Sequence, residues 1–178
     1  MNEEKMEYME DNVFGNTYSA LEALLINCRT MQRQFRNSPV DMATDSFIRD
    51  LCTVRMATSR RCGHSISVIR LALEYFCSAV FICPTCSIRD NFRMSFKRYC
   101  EDESIVSKKQ KLDLAILDND SEYYFLSAGS LNSLRGRQTE AIIVDPFCGM
   151  EDNRIDEIYS IGDACLSRNP FKFFVFVG

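Results

Sequence analysis

The sequence predicts an α/β fold, and three observations carry that prediction. Short apolar runs of strand length occur at 51–57, 79–83, 141–144 and 171–177. Stretches with apolar residues at helical spacing fall between them. Two further apolar runs, 112–117 and 123–127, flank Asp118-Asn119-Asp120-Ser121, a turn composition that marks an antiparallel hairpin. Strand, helix, strand, helix in this order implies a mostly parallel sheet with crossover helices on both faces and the hairpin at an edge.

The acidic residues 1–16 read as a mobile leader, with one domain over 17–178. Helical spacing begins at Tyr18 and continues through Leu21, Leu25, Cys28 and Met31, with Arg29, Arg33 and Arg36 toward the end, where they suit the helix dipole. Pro39 stops this pattern, and 45–50 reads as a short helix leading into the first strand. Residues 65–77 are apolar almost all round and predict a buried helix. Ile88, Phe92, Phe96 and Tyr99 mark the next helix, and the charged stretch 101–111 reads as a loop. Residues 131–140, with Arg135-Gly136-Arg137, read as a solvated loop. Ile155, Ile158, Tyr159 and Cys165 mark a last helix, closed by Asn169-Pro170.

At 178 residues the chain is long enough for a full hydrophobic core. Its 46% hydrophobic and 26% charged content are those of a globular protein. A net charge of -4 argues against a surface built for nonspecific nucleic-acid binding. No apolar run reaches membrane-spanning length and no signal core opens the sequence, so the expected location is inside a cell and membrane partners are not expected. The nine cysteines sit mostly in apolar runs, as Cys52, Cys77 and Cys165 do, and read as reduced core thiols. Cys83-Pro84-Thr85-Cys86 is the one C-x-x-C; with His64 the only histidine, it lacks the partners of a structural zinc site.

The chemistry concentrates at Thr58-Ser59-Arg60-Arg61-Cys62-Gly63-His64-Ser65, between the first strand and a helix. That is the layout of a phosphate-binding P-loop, G-x-x-x-x-G-K-[ST], with Thr58 at the first position and His64 in place of lysine. The fold expectation is therefore a three-layer P-loop NTPase-like α/β fold. Such a loop aims backbone N–H groups at phosphate, above a helix N-terminus. Ser59, Arg60, Arg61, Cys62, Gly63, His64 and Ser65 are the candidate nucleotide-binding residues. Ser65 is a candidate Mg2+ ligand, and Asp145, ending a second buried strand, is the other. Pro146 follows that aspartate and offers no carboxylate to activate water. Taken alone, Gly-His-Ser after a strand reads as a turn plus helix cap; the order and spacing of all these features carry the phosphate-loop reading.

In that order the sequence resembles the ATPase domain of the large terminase subunit, the DNA-packaging motor of tailed phages and herpesviruses. Residues 59–65 resemble the family's Walker A, and 79–83 the strand that follows. Tyr124 to Ser130, Leu134-Arg135-Gly136-Arg137 and Ala141 to Asp145 resemble its hairpin strand, Arg-Gly loop and Walker B strand. The resemblance implies ATP and Mg2+ as cofactors, Arg60 as a catalytic arginine finger in cis and Asp145 as holder of Mg2+. It also implies packaging proteins or a complementing chain as partners, DNA contact only indirectly, and a place in the infected cell's cytoplasm or nucleus or in the virion. It places the family's coupling segment, remaining ATPase strands and nuclease domain beyond Gly178. His64 and Pro146 depart at both hydrolytic positions. The leading expectation is a weak or inactive nucleotide-binding module. The alternatives are the N-terminal half of a split, active packaging ATPase and an α/β interaction domain with no nucleotide role.

Overall fold

The computed structural model describes residues 3–37, 43–58, 63–147, 150–166 and 168–178, and of residues 3–15 and 45 the backbone only. Seven strands form one sheet in the order β1-β7-β6-β2-β5-β4-β3. They are β1 Thr53–Met56, β2 Ser78–Cys83, β3 Ser107–Gln110, β4 Leu114–Leu117, β5 Glu122–Ser127, β6 Ala141–Val144 and β7 Phe173–Val177. Strands β1, β7, β6, β2 and β5 run parallel, while β4 and β3 continue the sheet antiparallel. The expected mostly parallel α/β sheet is the observed one.

The helices are α1 Glu3–Arg36, α2 Thr44–Ser46, α3 His64–Tyr75, α4 Cys86–Asp102 and α5 Asp152–Cys165. A π-helical turn, Phe47–Leu51, leads into β1, and a 3-10 helix, Ala128–Leu134, follows β5. Alternation along the strands sorts side chains between two cores. Phe173, Val175 and Val177 of β7 join a core with α1, α3 and α4. Phe174 and Phe176 join a second core with α5 and the 3-10 helix. The central strands β2, β6 and β7 are buried along nearly their whole length, which explains why they read as continuous apolar runs.

The backbone of α1 is helical from Glu3, ahead of the position where helical spacing begins in the sequence. Three expectations need correction. The hairpin 112–127 exists as β4–β5, but the edge belongs to β3, from a segment read as loop. Ser107, Lys108, Lys109 and Gln110 are mostly exposed, so β3 carries no alternating apolar signal, and its lysines suit an edge. Cys77 is exposed, unlike Cys28, Cys52, Cys83, Cys100 and Cys165. Burial pushes the Cys52 and Cys83 thiols up to about 12 and Cys100 to about 11, which makes them inert. Lastly, 128–134 is a 3-10 helix with Leu131 and Leu134 buried, and Arg137 stacks 4.3 Å over the Tyr124 ring instead of lying in a solvated loop.

One buried polar side chain ties α1 to the sheet. Gln32 is fully buried; its Nε2 donates to the Lys172 carbonyl at 2.7 Å and its Oε1 accepts from the Lys172 N–H at 3.0 Å. The amide thus pairs with the chain entering β7 as a neighbouring strand would. Gln32→Leu strands both Lys172 backbone groups, and the expected cost is about 2 kcal/mol of stability. Gln32→Glu, which buries a charge and sets a carboxylate oxygen against the Lys172 carbonyl, should cost at least as much. Urea unfolding midpoints check this; an unchanged midpoint for Gln32→Leu would show that the clamp contributes nothing.

Candidate functional site

The carboxyl ends of β1, β7, β6, β2 and β5 share one rim, because these strands are parallel. Ligands bind at such rims in open α/β sheets. Backbone bonds hold the rim together. Thr58 N–H donates to the Gly178 carbonyl, Gly178 N–H to the Met56 carbonyl, Phe147 N–H to the Val177 carbonyl and Asp145 N–H to the Ile82 carbonyl.

Gly63 begins α3 with φ 69 and ψ 18, a left-handed conformation that favours glycine. The first intrahelical bond is from Ser67 N–H to the Gly63 carbonyl, so the N–H groups of Ser65 and Ile66 precede the helical ladder. The positive end of a twelve-residue helix therefore opens at this rim. Ser65 is half-buried in that first turn.

Across the rim, Asp145 ends β6 and is 1% exposed. The His64 imidazole reaches it, with Nε2 3.1 Å from Oδ1. That contact falls outside hydrogen-bond geometry: neither Asp145 oxygen has a hydrogen-bond partner among the described residues. The Thr58 hydroxyl, at the first position of the loop, is buried in the same state. A carboxylate buried this way calls for a cation. Asp145 and Ser65, beside a helix N-terminus, are residues that could hold a divalent ion paired with phosphate. Residues 59–62 lie outside the described residues, so Ser59, Arg60, Arg61 and Cys62 are not placed. Gly63, His64 and Ser65 are placed at one rim with Asp145.

The structure adds a neighbour that sequence reading passed over. Arg89, in the first turn of α4, is near enough to Cys83 for its charge to oppose the upward push of burial and of the Asp145 charge on that thiol. Its guanidinium pairs with Asp90 at 2.7 Å and is largely shielded from solvent. The signal was its position just after a strand that ends at the rim. Cys86, also on that turn, lies 3.5 Å from the Ser127 hydroxyl, which contacts that of Ser130 at 3.2 Å. Arg137 is held by Tyr124 and by the Ser133 carbonyl. Among the described residues no group of three or more His, Cys, Asp or Glu is arranged to hold a metal.

No family model matches the chain, and no curated protein matches it. Solved structures do. The large terminase of a thermophilic bacteriophage, in one crystal form, aligns over 85% of this chain and 38% of its own, with a TM-score of 0.55 and 16% identity. The same protein in complex with ADP aligns over 71% of this chain and 33% of its own, with a TM-score of 0.52 and 14% identity. This chain shares its fold with part of that large terminase. It spans about a third of that phage terminase's length, 33% in the ADP complex. Within the terminase-like fold, Gly63, His64 and Ser65 open the helix after β1, and Asp145 closes the strand two places across the sheet from it. None of the described helices is long and apolar enough to cross a membrane.

Proposed function

We propose that this chain is a nucleotide-binding module, linked to viral DNA packaging, that hydrolyses ATP slowly or not at all. The observation that carries the reading is His64 lodged against Asp145 at 3.1 Å. Nucleotide phosphates would meet the α3 N-terminus, where the N–H groups of Ser65 and Ile66 lie ahead of the helical ladder. Ser65 and Asp145 would hold Mg2+, and the bound ion would neutralise phosphate charge. The ADP held by the phage terminase supports the choice of ligand.

Two groups that hydrolysis needs are replaced. A lysine at position 64 would carry a full charge on a long arm to the β- and γ-phosphates. The imidazole is shorter, and its Nε2 is directed at the carboxylate. Pro146 cannot orient water. Transition-state charge stabilisation and water positioning are both weakened by this pair. The terminase-like fold is what supports a packaging role, a setting in an infected cell or virion, and partners among packaging proteins, with DNA reached through those partners.

A second reading has support in one observation. Among the described residues β1 pairs only with β7, which leaves its other edge open for a strand. A complementing chain could add a strand there and complete an active motor. Arg60, in cis, would then act with Asp145.

Calorimetry with Mg2+–ATP and a turnover assay test both. The expected result is measurable binding, weakened about tenfold or more by Ser65→Ala, with no turnover above background. The double replacement His64→Lys plus Pro146→Glu is expected to raise turnover by at least about tenfold. Turnover by the parent protein that disappears in Asp145→Ala would overturn the inactive reading and favour the split motor. No binding at millimolar Mg2+–ATP would overturn the nucleotide reading.

A further inference from the structure

The contact between His64 and Asp145 has ion-pair distance but not hydrogen-bond geometry. Asp145 is 1% exposed, and both its oxygens lack a hydrogen-bond partner among the described residues, yet an imidazole nitrogen stands 3.1 Å from Oδ1. Burying a carboxylate without compensation is strongly unfavourable. Two donor atoms each about 2.1 Å from one ion, and separated by about 90–110° at that ion, lie about 3.0–3.4 Å apart. The nitrogen–oxygen separation of 3.1 Å, an ordinary ion-pair distance, also falls within that range.

We propose that His64 and Asp145 together bind a first-row transition-metal ion. The chemistry of the two side chains selects that class. Mg2+ keeps to oxygen donors and sheds water reluctantly, whereas imidazole is a favoured ligand of zinc, nickel, copper and iron. A protonated lysine at position 64 would repel a cation, but neutral imidazole offers it a lone pair. The residue that weakens the site as a phosphate binder thus adds a metal ligand. With two protein donors, the remaining coordination positions fall to water or to phosphate oxygens. The nucleotide in that last role rests on the function proposed above; the protein–metal pair does not.

The test uses the parent protein, His64→Ala, His64→Lys and Asp145→Asn. Each is titrated calorimetrically with Ni2+ alone and with Mg2+ alone. Both ions are then repeated with a non-hydrolysable ATP analogue, and circular dichroism checks folding. Expected is Ni2+ binding at least about tenfold tighter than Mg2+, with that preference removed by His64→Ala and by His64→Lys, and Ni2+ binding lost in Asp145→Asn. Ni2+ binding equal in the parent and His64→Ala assigns the ion to cysteines elsewhere and overturns the proposal. No preference for Ni2+, while the analogue binds with Mg2+, overturns the metal assignment and leaves the nucleotide reading standing. A His64-dependent Ni2+ site with no analogue binding supports the metal assignment and removes the nucleotide. Should either His64 variant fail to fold, the other carries the comparison.

Discussion

Phe81→Ala is expected to lower the stability of the domain by about 3–5 kcal/mol, the cost of deleting a buried aromatic from a core that only partly collapses around the gap. Phe81 lies on β2, the central strand of the sheet, and is 1% exposed. Its ring stacks on Phe125 at 5.5 Å, its register partner on β5, and meets Phe92 at 4.9 Å and Phe96 at 6.0 Å on α4. Removing it opens a cavity among three rings that pack against one another. A domain is stable by about 5–15 kcal/mol, so the loss is a large share of the whole. Urea unfolding should show a much lower midpoint with an unchanged slope. Phe81→Leu, which keeps most of the volume, should lose clearly less. A loss under about 1 kcal/mol for Phe81→Ala would mean that the ring cluster is not the centre of this core. The same strand ends at Cys83 and accepts the Asp145 N–H at Ile82, so loosening it should also weaken any ligand held by Asp145.

Gly162→Val is expected to cost about 3 kcal/mol, and the reason is how closely α5 lies on the sheet. A Cβ at Gly162 would stand 2.5 Å from the Ile142 Cδ1 and 2.6 Å from the Phe174 Cε1. Glycine inside a helix is unfavourable by about 1 kcal/mol relative to alanine, so propensity alone would make the alanine protein the more stable one. The close approach reverses the sign. The Ile142 methyl is the end of a flexible side chain, but Phe174 is fully buried and held by Tyr159 at 5.0 Å. Gly162→Ala should therefore still destabilise, by about 1–2 kcal/mol after the helix gain is deducted. Ile142→Val removes the Cδ1 that the new methyl meets. In combination with Gly162→Ala it should lose less than the two single losses added together. Thermal unfolding of the four proteins checks this cycle; a Gly162→Ala protein more stable than its parent would show that the helix can lift off the sheet freely.

Two positions of the candidate rim, Gly63 and Asp145, were legible before any coordinate, for a local reason. Gly63 is the residue a left-handed turn at the start of a helix favours, and it is observed there with φ 69. Asp145 could be picked out because an apolar run that ends in an acid places that acid at a strand end. The role of His64 was not legible. Sequence comparison placed it as a poor substitute for lysine facing phosphate, whereas its imidazole turns to the carboxylate at 3.1 Å. That orientation depends on β6 and α3 facing each other across a rim, a relation between distant segments. Arg89 went unnoticed for the same reason. Its importance comes from the neighbourhood of Cys83 and Asp145, not from its own surroundings in the chain.

By itself the sequence determined the element types: parallel strands too apolar to be half-exposed, helices with one or two buried stripes, and a glycine turn ahead of α3. These depend on periodicities of two and 3.6 residues, which neighbouring positions record directly. The tertiary structure alone decided that β7 and β6 lie between β1 and β2, that polar β3 closes the sheet, and that Gln32 clamps the entry to β7. It also decided that His64 meets Asp145. Strand order, a buried amide clamp and an imidazole–carboxylate contact are set by packing between segments far apart in the chain, and no local pattern of residues encodes them.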